Sequence, residues 1–174
     1  YRVPAALNCL TCHAGDNREP GSAPIGPKAR NLNRNNAAGV NQLLALKNAG
    51  QLSGLPEDLA SIDKLPRWNV PGSTGQLPDS EQDVHLRTRA YLETNCMHCH
   101  NPSGAASNSG LSLDAYRTVN VSYGICKKPV AAGRGSGGKL YDIIPQDAAG
   151  SILPFRMAST EPGVQMPPIA RSVA

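Results

Sequence analysis

Apolar positions follow a helical period in only a few parts of this chain. In GVNQLLALKNAGQLSG, Val40, Leu43 and Leu44 fall on one helical face, which Lys47 continues. Gly50 is the kind of residue that ends helices, so we expect a packing helix that stops there.

A second helical pattern runs through SEQDVHLRTRAYLETNCMHCH. Ser80 followed by Asp83 resembles a capping box. One helical face, formed by Val84, Thr88, Tyr91, Leu92 and Asn95, then continues directly into a cysteine-rich stretch. Shorter helices are expected after Pro4, where VPAALNCLTCH leads into another cysteine pair, and near residues 150–159, after an extended piece at YDIIP.

Between these patterns the chain is rich in turn-forming residues, with 17 glycines and 15 prolines. We expect a loop over residues 14–36, a connector over 54–79 in which Trp68 packs on a core edge, and a flexible turn at AAGRGSGG, 131–138. The predicted fold class is therefore mostly α, with extensive irregular loops.

Composition adds that the core is short of large side chains, because aromatic residues make up only 4% of the chain. A group other than the amino-acid side chains is expected to fill the interior of the protein. The net charge of +4 is spread along the sequence, so no segment resembles a nucleic-acid-binding arm. We expect these charges to form an ordinary solvated surface; the alternative is a basic rim that steers an acidic protein partner. No apolar run approaches the roughly 20 residues that a membrane span needs.

Four of the five cysteines form two patterns of identical spacing, Cys9-Leu-Thr-Cys12-His13 and Cys96-Met-His-Cys99-His100. Two thiols three positions apart on one turn of backbone can each bond to a vinyl group of one haem, and the imidazole that follows then faces the iron. The sequence thus predicts two covalently attached haem c groups, with His13 and His100 as the fifth ligands of the iron.

Two alternatives compete with haem attachment. Two Cys-x-x-Cys pairs could hold zinc in a four-thiolate site, although zinc does not require a histidine directly after each pair. Paired disulfides are less consistent with the sequence, because so few cysteines in 174 residues do not make a disulfide scaffold.

Attached haems would supply the missing core, each as a large flat apolar body. We expect two cytochrome-c-like units, residues 1–79 with the connector and residues 80–174. Because haem is attached to thiols outside the bacterial cytoplasm, the protein is expected to be periplasmic or extracellular.

The sixth ligands are harder to assign. Met166 lies in the stiff, polar segment QMPPIA and is the predicted sulfur ligand of the second haem. Residues 14–84 contain neither Met nor His, so His85 and Met157 are the candidates for the first haem, and His85 on the helix before Cys96 would keep the two haems close.

Two other residues were weighed for the same role. His98 occupies a variable position of the second pattern and is expected to be exposed. The fifth cysteine, Cys126, is expected to be a small packed residue, but Lys127 and Lys128 beside it would lower the pKa of its thiol and allow it to bind iron or attack a substrate.

With its two Cys-x-x-Cys-His patterns and QMPP, the chain resembles bacterial c-type cytochromes. More specifically, it resembles a family of exported bacterial haem-c proteins, known mostly as conserved hypothetical proteins, through segments spanning most of its length: IGPKARNLNR, NQLLAL, RAYLETNCMHCHNPSGAASNSGL, CKKPVAAGRGSGG, YDIIP and SILPFRMASTEPGVQMPPIARS. The resemblance implies an exported redox protein and carries over no catalytic residue. QMPPIARS departs from the MPELGRS expected of that family but keeps the methionine.

Three functions follow from these patterns. The leading hypothesis is a dihaem electron carrier that exchanges electrons with redox protein partners. The alternatives are a dihaem oxidoreductase, peroxidase-like or thiosulfate-dehydrogenase-like, with one open or labile haem, and a self-associating repeat unit of a cytochrome filament in which a neighbour supplies the missing ligand.

Overall fold

The structure of this chain is a computed structural model that describes residues 5–13, 25–66 and 81–169. Regular structure in these ranges is mostly helical, and strand-like pairing is limited to isolated bridges. The α-helices of the described ranges are Ala6–His13 (α1), Ala29–Leu32 (α2), Gln42–Asn48 (α3), Glu81–Asn95 (α4) and Ile152–Ala158 (α5). Short 3-10 helices are formed by Leu59–Ser61, Ser107–Ser109, Val121–Tyr123 and Gly133–Ser136.

Contacts group the chain differently from the predicted boundary at 79/80. Residues 26–90 form one compact unit, and residues 1–25 group with residues 91–174 in the other. Both Cys-x-x-Cys-His patterns therefore belong to the same contact unit. Each unit is described by itself.

In the unit of residues 26–90, α3 ends just before Gly50 as the sequence predicts, but it begins at Gln42, after Val40 of the predicted face. The side chain of Asn41 accepts a hydrogen bond from the Leu43 amide at 2.9 Å and so caps the first turn. At the other end, Gly50 has a φ of +69° and its amide donates to the Lys47 carbonyl, which closes the helix in a Schellman turn. The predicted apolar face is wrong in part, because Leu43 is buried whereas Val40 and Leu44 are exposed.

A buried amide holds this unit together. Asn33 is 1% exposed, and its Nδ2 donates to the carbonyls of Leu59 and Ile62 at 3.0 and 2.6 Å. Its Oδ1 accepts from Asn41 Nδ2 at 2.9 Å. One side chain thus joins the start of α3 to the 3-10 helix at Leu59–Ser61 within the predicted connector.

The core of the other unit lies where α4 ends. Leu92, Leu113 and Tyr123 form a buried cluster against which Cys96 and other partly buried residues pack. The loops after α4 are joined by isolated bridges, including Ile125 with Ile143 and Tyr141 with Ser151, rather than by a sheet.

The last helix and the glycine-rich segment pack together. α5 lies within the helix predicted near residues 150–159. The turn expected to be flexible at 131–138 instead contains the 3-10 helix Gly133–Ser136, which contacts α5. Gly137, with a φ of +58°, lies so close to the ring of Phe155 that a Cβ would stand 2.6 Å from it. Only glycine fits there, because of both the backbone angle and the ring.

Several predictions fall outside the described residues. These are the helix cap at Ser80 with Asp83, the position of Trp68, and the first part of the predicted loop at residues 14–24. No helix in the described ranges combines the length and the apolar character that crossing a membrane requires.

Candidate functional site

The second cysteine pair lies on a helical turn that continues α4. The amide of Cys96 donates to the Leu92 carbonyl at 2.9 Å, and the amide of His100 donates to the Cys96 carbonyl at 2.9 Å. The amide of Cys99 also donates to the Cys96 carbonyl, at 3.1 Å. The spacing predicted from sequence is thus realised as one turn that carries both thiols and the imidazole.

The segment after this turn braces it. Asn101 Nδ2 donates to the carbonyl of Met97 at 2.8 Å, and Asn101 Oδ1 accepts from the Ser103 amide at 2.9 Å. Gly104 is buried against the Cys99 carbonyl, so closely that any Cβ there would clash with backbone. The short sequence NPSG therefore fixes the cysteine turn rather than serving as a spacer.

The ring of His100 is oriented by a serine. Ser109 Oγ lies 3.1 Å from His100 Nδ1 and 2.6 Å from the Ala106 carbonyl. Because the hydroxyl donates its single proton in the hydrogen bond to the Ala106 carbonyl, the oxygen accepts a hydrogen bond from the Nδ1–H of His100. That tautomer leaves His100 Nε2 unprotonated, which is the state in which imidazole binds a metal.

His100 and Cys96 face a cavity of about 230 Å³. Its wall is largely apolar, and both C-terminal methionines with a sequence-predicted role, Met157 and Met166, contribute to it. The wall also includes Ser109, Leu113, Lys127, Asp142 and Arg156. The cavity therefore brings the predicted fifth and sixth ligands of the second haem to one site.

Hydrogen bonds to Arg156 hold the loop of Met166 against α5. Its amide donates to the Arg156 carbonyl at 2.9 Å, and Arg156 Nε donates to the Val164 carbonyl at 2.8 Å. Val164 is 2% exposed. Two bonds and one buried side chain thus fix the loop that presents the thioether.

Charged groups occupy part of the same wall. Lys127 Nζ and Asp142 Oδ2 form an ion pair at 3.1 Å, in which both side chains are largely buried. Burial lowers the pKa of Arg156, an effect that Asp142 opposes. Burial also lowers the pKa of His100, and the positive charge of Arg156 adds to this effect, so His100 is biased toward the neutral form.

The first cysteine pair lies on α1. Helical spacing places Cys9, Cys12 and His13 on one side of that helix. Cys9 is exposed, whereas Cys12 and His13 are half-buried.

The two cysteine pairs meet through their second cysteines. Ligand atoms of Cys12, His98 and Cys99 all lie within 4.8 Å of one another, and all three residues are half-buried. Burial, together with the neighbouring Cys12 thiol, raises the pKa of Cys99 to about 11. Burial alone raises the pKa of Cys96 to about 11.

His98 was expected to be exposed, and this expectation is wrong. The residue is half-buried, and its Nδ1 atom is buried without a hydrogen-bond partner in the described part of the chain. Burial lowers the pKa of His98, and the nearby charge of His13 lowers it further. The position packs against the other cysteine pair, a contact that local sequence does not encode.

Two other predicted ligand candidates are exposed. His85 is exposed on α4, in the contact unit of residues 26–90. Cys126 is exposed, has a φ of +49°, and donates its amide to the Ile143 carbonyl at 2.8 Å. The packed position expected for Cys126 is therefore wrong.

Sequence reasoning missed Ser109, Arg156 and Asp142. A serine shortly after a predicted histidine ligand is a weak signal, because many residues in this segment are small and polar. The pairing of Lys127 with Asp142 joins two loops and leaves no local pattern at all.

Comparison of the chain with protein-family models, with curated proteins and with solved structures finds no match in any of the three.

Proposed function

We propose that this chain is a dihaem c-type cytochrome that transfers electrons in the bacterial cell envelope or outside the cell. The observation that carries the proposal is the cavity shared by Cys96, His100 and Met166. A thiol, an imidazole and a thioether facing one largely apolar space are the groups that a covalently attached, His/Met-ligated haem requires.

The residue types and spacing of both cysteine pairs suit this cofactor, and at the second pair Cys96 and His100 line the cavity. Cys96 and Cys99 would form the thioether bonds at one site and Cys9 and Cys12 those at the other. When bound, haem c supplies an iron that alternates between the ferric and ferrous states.

At the second site, each contact has a definite role. Ser109 orients His100 and keeps its Nε2 available, and the bonds of α5 hold Met166 in place. The cations of Lys127 and Arg156 on the cavity wall suit the two carboxylates that every porphyrin of this type carries. The leucines and isoleucine of the wall exclude water.

The partners proposed for such a carrier are redox proteins. A net charge of +4 favours acidic partners, since complementary charge speeds encounter. Export is part of the proposal because haem is attached to thiols outside the bacterial cytoplasm.

The role of Met166 can be tested against Met157, a second methionine on the same cavity wall. Met166→Ala is expected to abolish the near-infrared charge-transfer band of sulfur-ligated ferric haem. Since axial ligands set haem potentials over a range of about 0.8 V, we expect the midpoint potential of one haem to fall by on the order of 100 mV.

Met157→Ala is the matched control and should leave both the band and the potential in place. Optical spectroscopy with redox titration measures both quantities. The assignment fails if Met157→Ala removes the band and Met166→Ala does not.

One observation favours a second candidate function. Cys12, His98 and Cys99 bring two thiols and an imidazole together, which is a ligand set that zinc prefers. A zinc protein would hold one metal ion at this group and contain no haem. Metal and haem analysis of the purified, exported chain separates the two candidates.

A further inference from the structure

The sixth ligand of the first haem is the missing part of the proposed function. Of the four histidines, His13 and His100 are the predicted fifth ligands and His85 is exposed, whereas His98 is half-buried. Its Nδ1 is buried and, in the ranges that the structure describes, has no hydrogen-bond partner. Proteins seldom bury a polar nitrogen without giving it a partner, so the ring is expected to have a ligand or bond when the protein is complete.

The position of His98 points to the first haem. A nitrogen of its ring lies within 4.8 Å of the Cys12 thiol, which belongs to the first attachment pattern. His13, the predicted fifth ligand there, is close enough for its charge to act on His98. One predicted attachment cysteine and the predicted fifth ligand of the first haem thus lie near this ring.

The other candidates have different surroundings. Met157 lines the cavity with His100 and Met166, and so lies at the second site. His85 is exposed and joins no group of potential metal ligands in the part of the chain that the structure describes. Cys126 is exposed and joins no group of potential metal ligands among the described residues.

We propose that His98 is the sixth ligand of the first haem, an inference that rests on the proposed function. The second attachment turn would then carry a ligand for the first haem between its own two cysteines. The first haem would have two imidazole ligands and the second an imidazole and a thioether.

This ligand set would give the two haems different reduction potentials and would therefore set the direction of electron transfer between them. Methionine with histidine raises the reduction potential relative to two histidines. With His98 at the first haem and Met166 at the second, the second haem would have the higher reduction potential and would accept electrons from the first. These two side chains would also occupy the position on each iron that a substrate would otherwise need, as suits a carrier.

His98→Ala tests this assignment, and His85→Ala is the matched control on another histidine. We expect His98→Ala to convert one haem to a high-spin form that binds carbon monoxide, as measured by electron paramagnetic resonance and optical titration. The haem content should stay at two per chain. His85→Ala should retain two low-spin haems that take up no carbon monoxide.

If the His98→Ala variant does not fold and acquire its haems, His98→Met provides a second test. Its near-infrared sulfur band should be twice as strong as that of the wild type, and the midpoint potential of the lower-potential haem should rise. Two low-spin haems in His98→Ala, or an unchanged sulfur band in His98→Met, would overturn the inference while leaving the dihaem proposal intact. A wild-type protein without haem would overturn both.

Discussion

At the scale of single residues, the state of His100 depends on one hydroxyl. Ser109 donates to the Ala106 carbonyl and accepts from both His100 Nδ1 and the Leu111 amide, so its one proton and two lone pairs are all used. A histidine that donates its second N–H to such an acceptor becomes a more basic ligand. Basic ligands favour ferric iron.

Ser109→Ala is therefore expected to raise the midpoint potential of the second haem. The shift should be on the order of tens of mV, because a hydrogen bond contributes about 1 kcal/mol and a tenfold change in a one-electron equilibrium is about 59 mV. Potentiometric titration measures it. Ser107→Ala, on the same 3-10 helix, is the control, and equal shifts in both variants would refute the role given to Ser109.

At the scale of secondary structure, the end of α4 positions the second cysteine turn. Leu92 is 2% exposed, and its carbonyl accepts from the amides of both Cys96 and Met97. The same residue thus belongs to the core cluster and to the backbone on which the site is built. Six residues earlier in the same helix, Leu86 is 44% exposed.

Leu92→Ala should lower the free energy of unfolding by about 2–5 kcal/mol, since it leaves a cavity in a packed core. Leu86→Ala, the same substitution on the same helix, should change it by less than about 0.5 kcal/mol. Denaturant unfolding followed by circular dichroism compares the two. Similar losses from both variants would contradict the packing described for α4.

At the scale of the whole molecule, sequence patterns within short segments correctly predicted the helices of those segments. The helical period and Gly50 predicted the position and end of α3, and the helical face of residues 84–95 predicted a helix that runs into the cysteine turn. The ligand role of Met166 was inferred from its loop, and the structure brings that residue to the cavity of His100. Each of these signals lies within a short segment of chain.

Contacts between distant segments could not be predicted. Nothing near Cys12 indicates that it meets Cys99, and nothing near Asn33 indicates that its amide joins three partners. Both arrangements depend on which loops pack together, so they emerge only from the tertiary structure. For the same reason the predicted boundary at 79/80 differs from the observed grouping of residues 1–25 with 91–174.

The central claim is that both cysteine pairs carry haem, and the intact mass of the exported chain tests it most directly. Purified from a bacterial host that attaches haem c, the chain should have the mass of the polypeptide plus two haems. One haem should be lost when Cys9 and Cys12 are replaced by serine, and the other when Cys96 and Cys99 are. A bare polypeptide mass, with one zinc ion per chain that is lost on His98→Ala, would contradict the account.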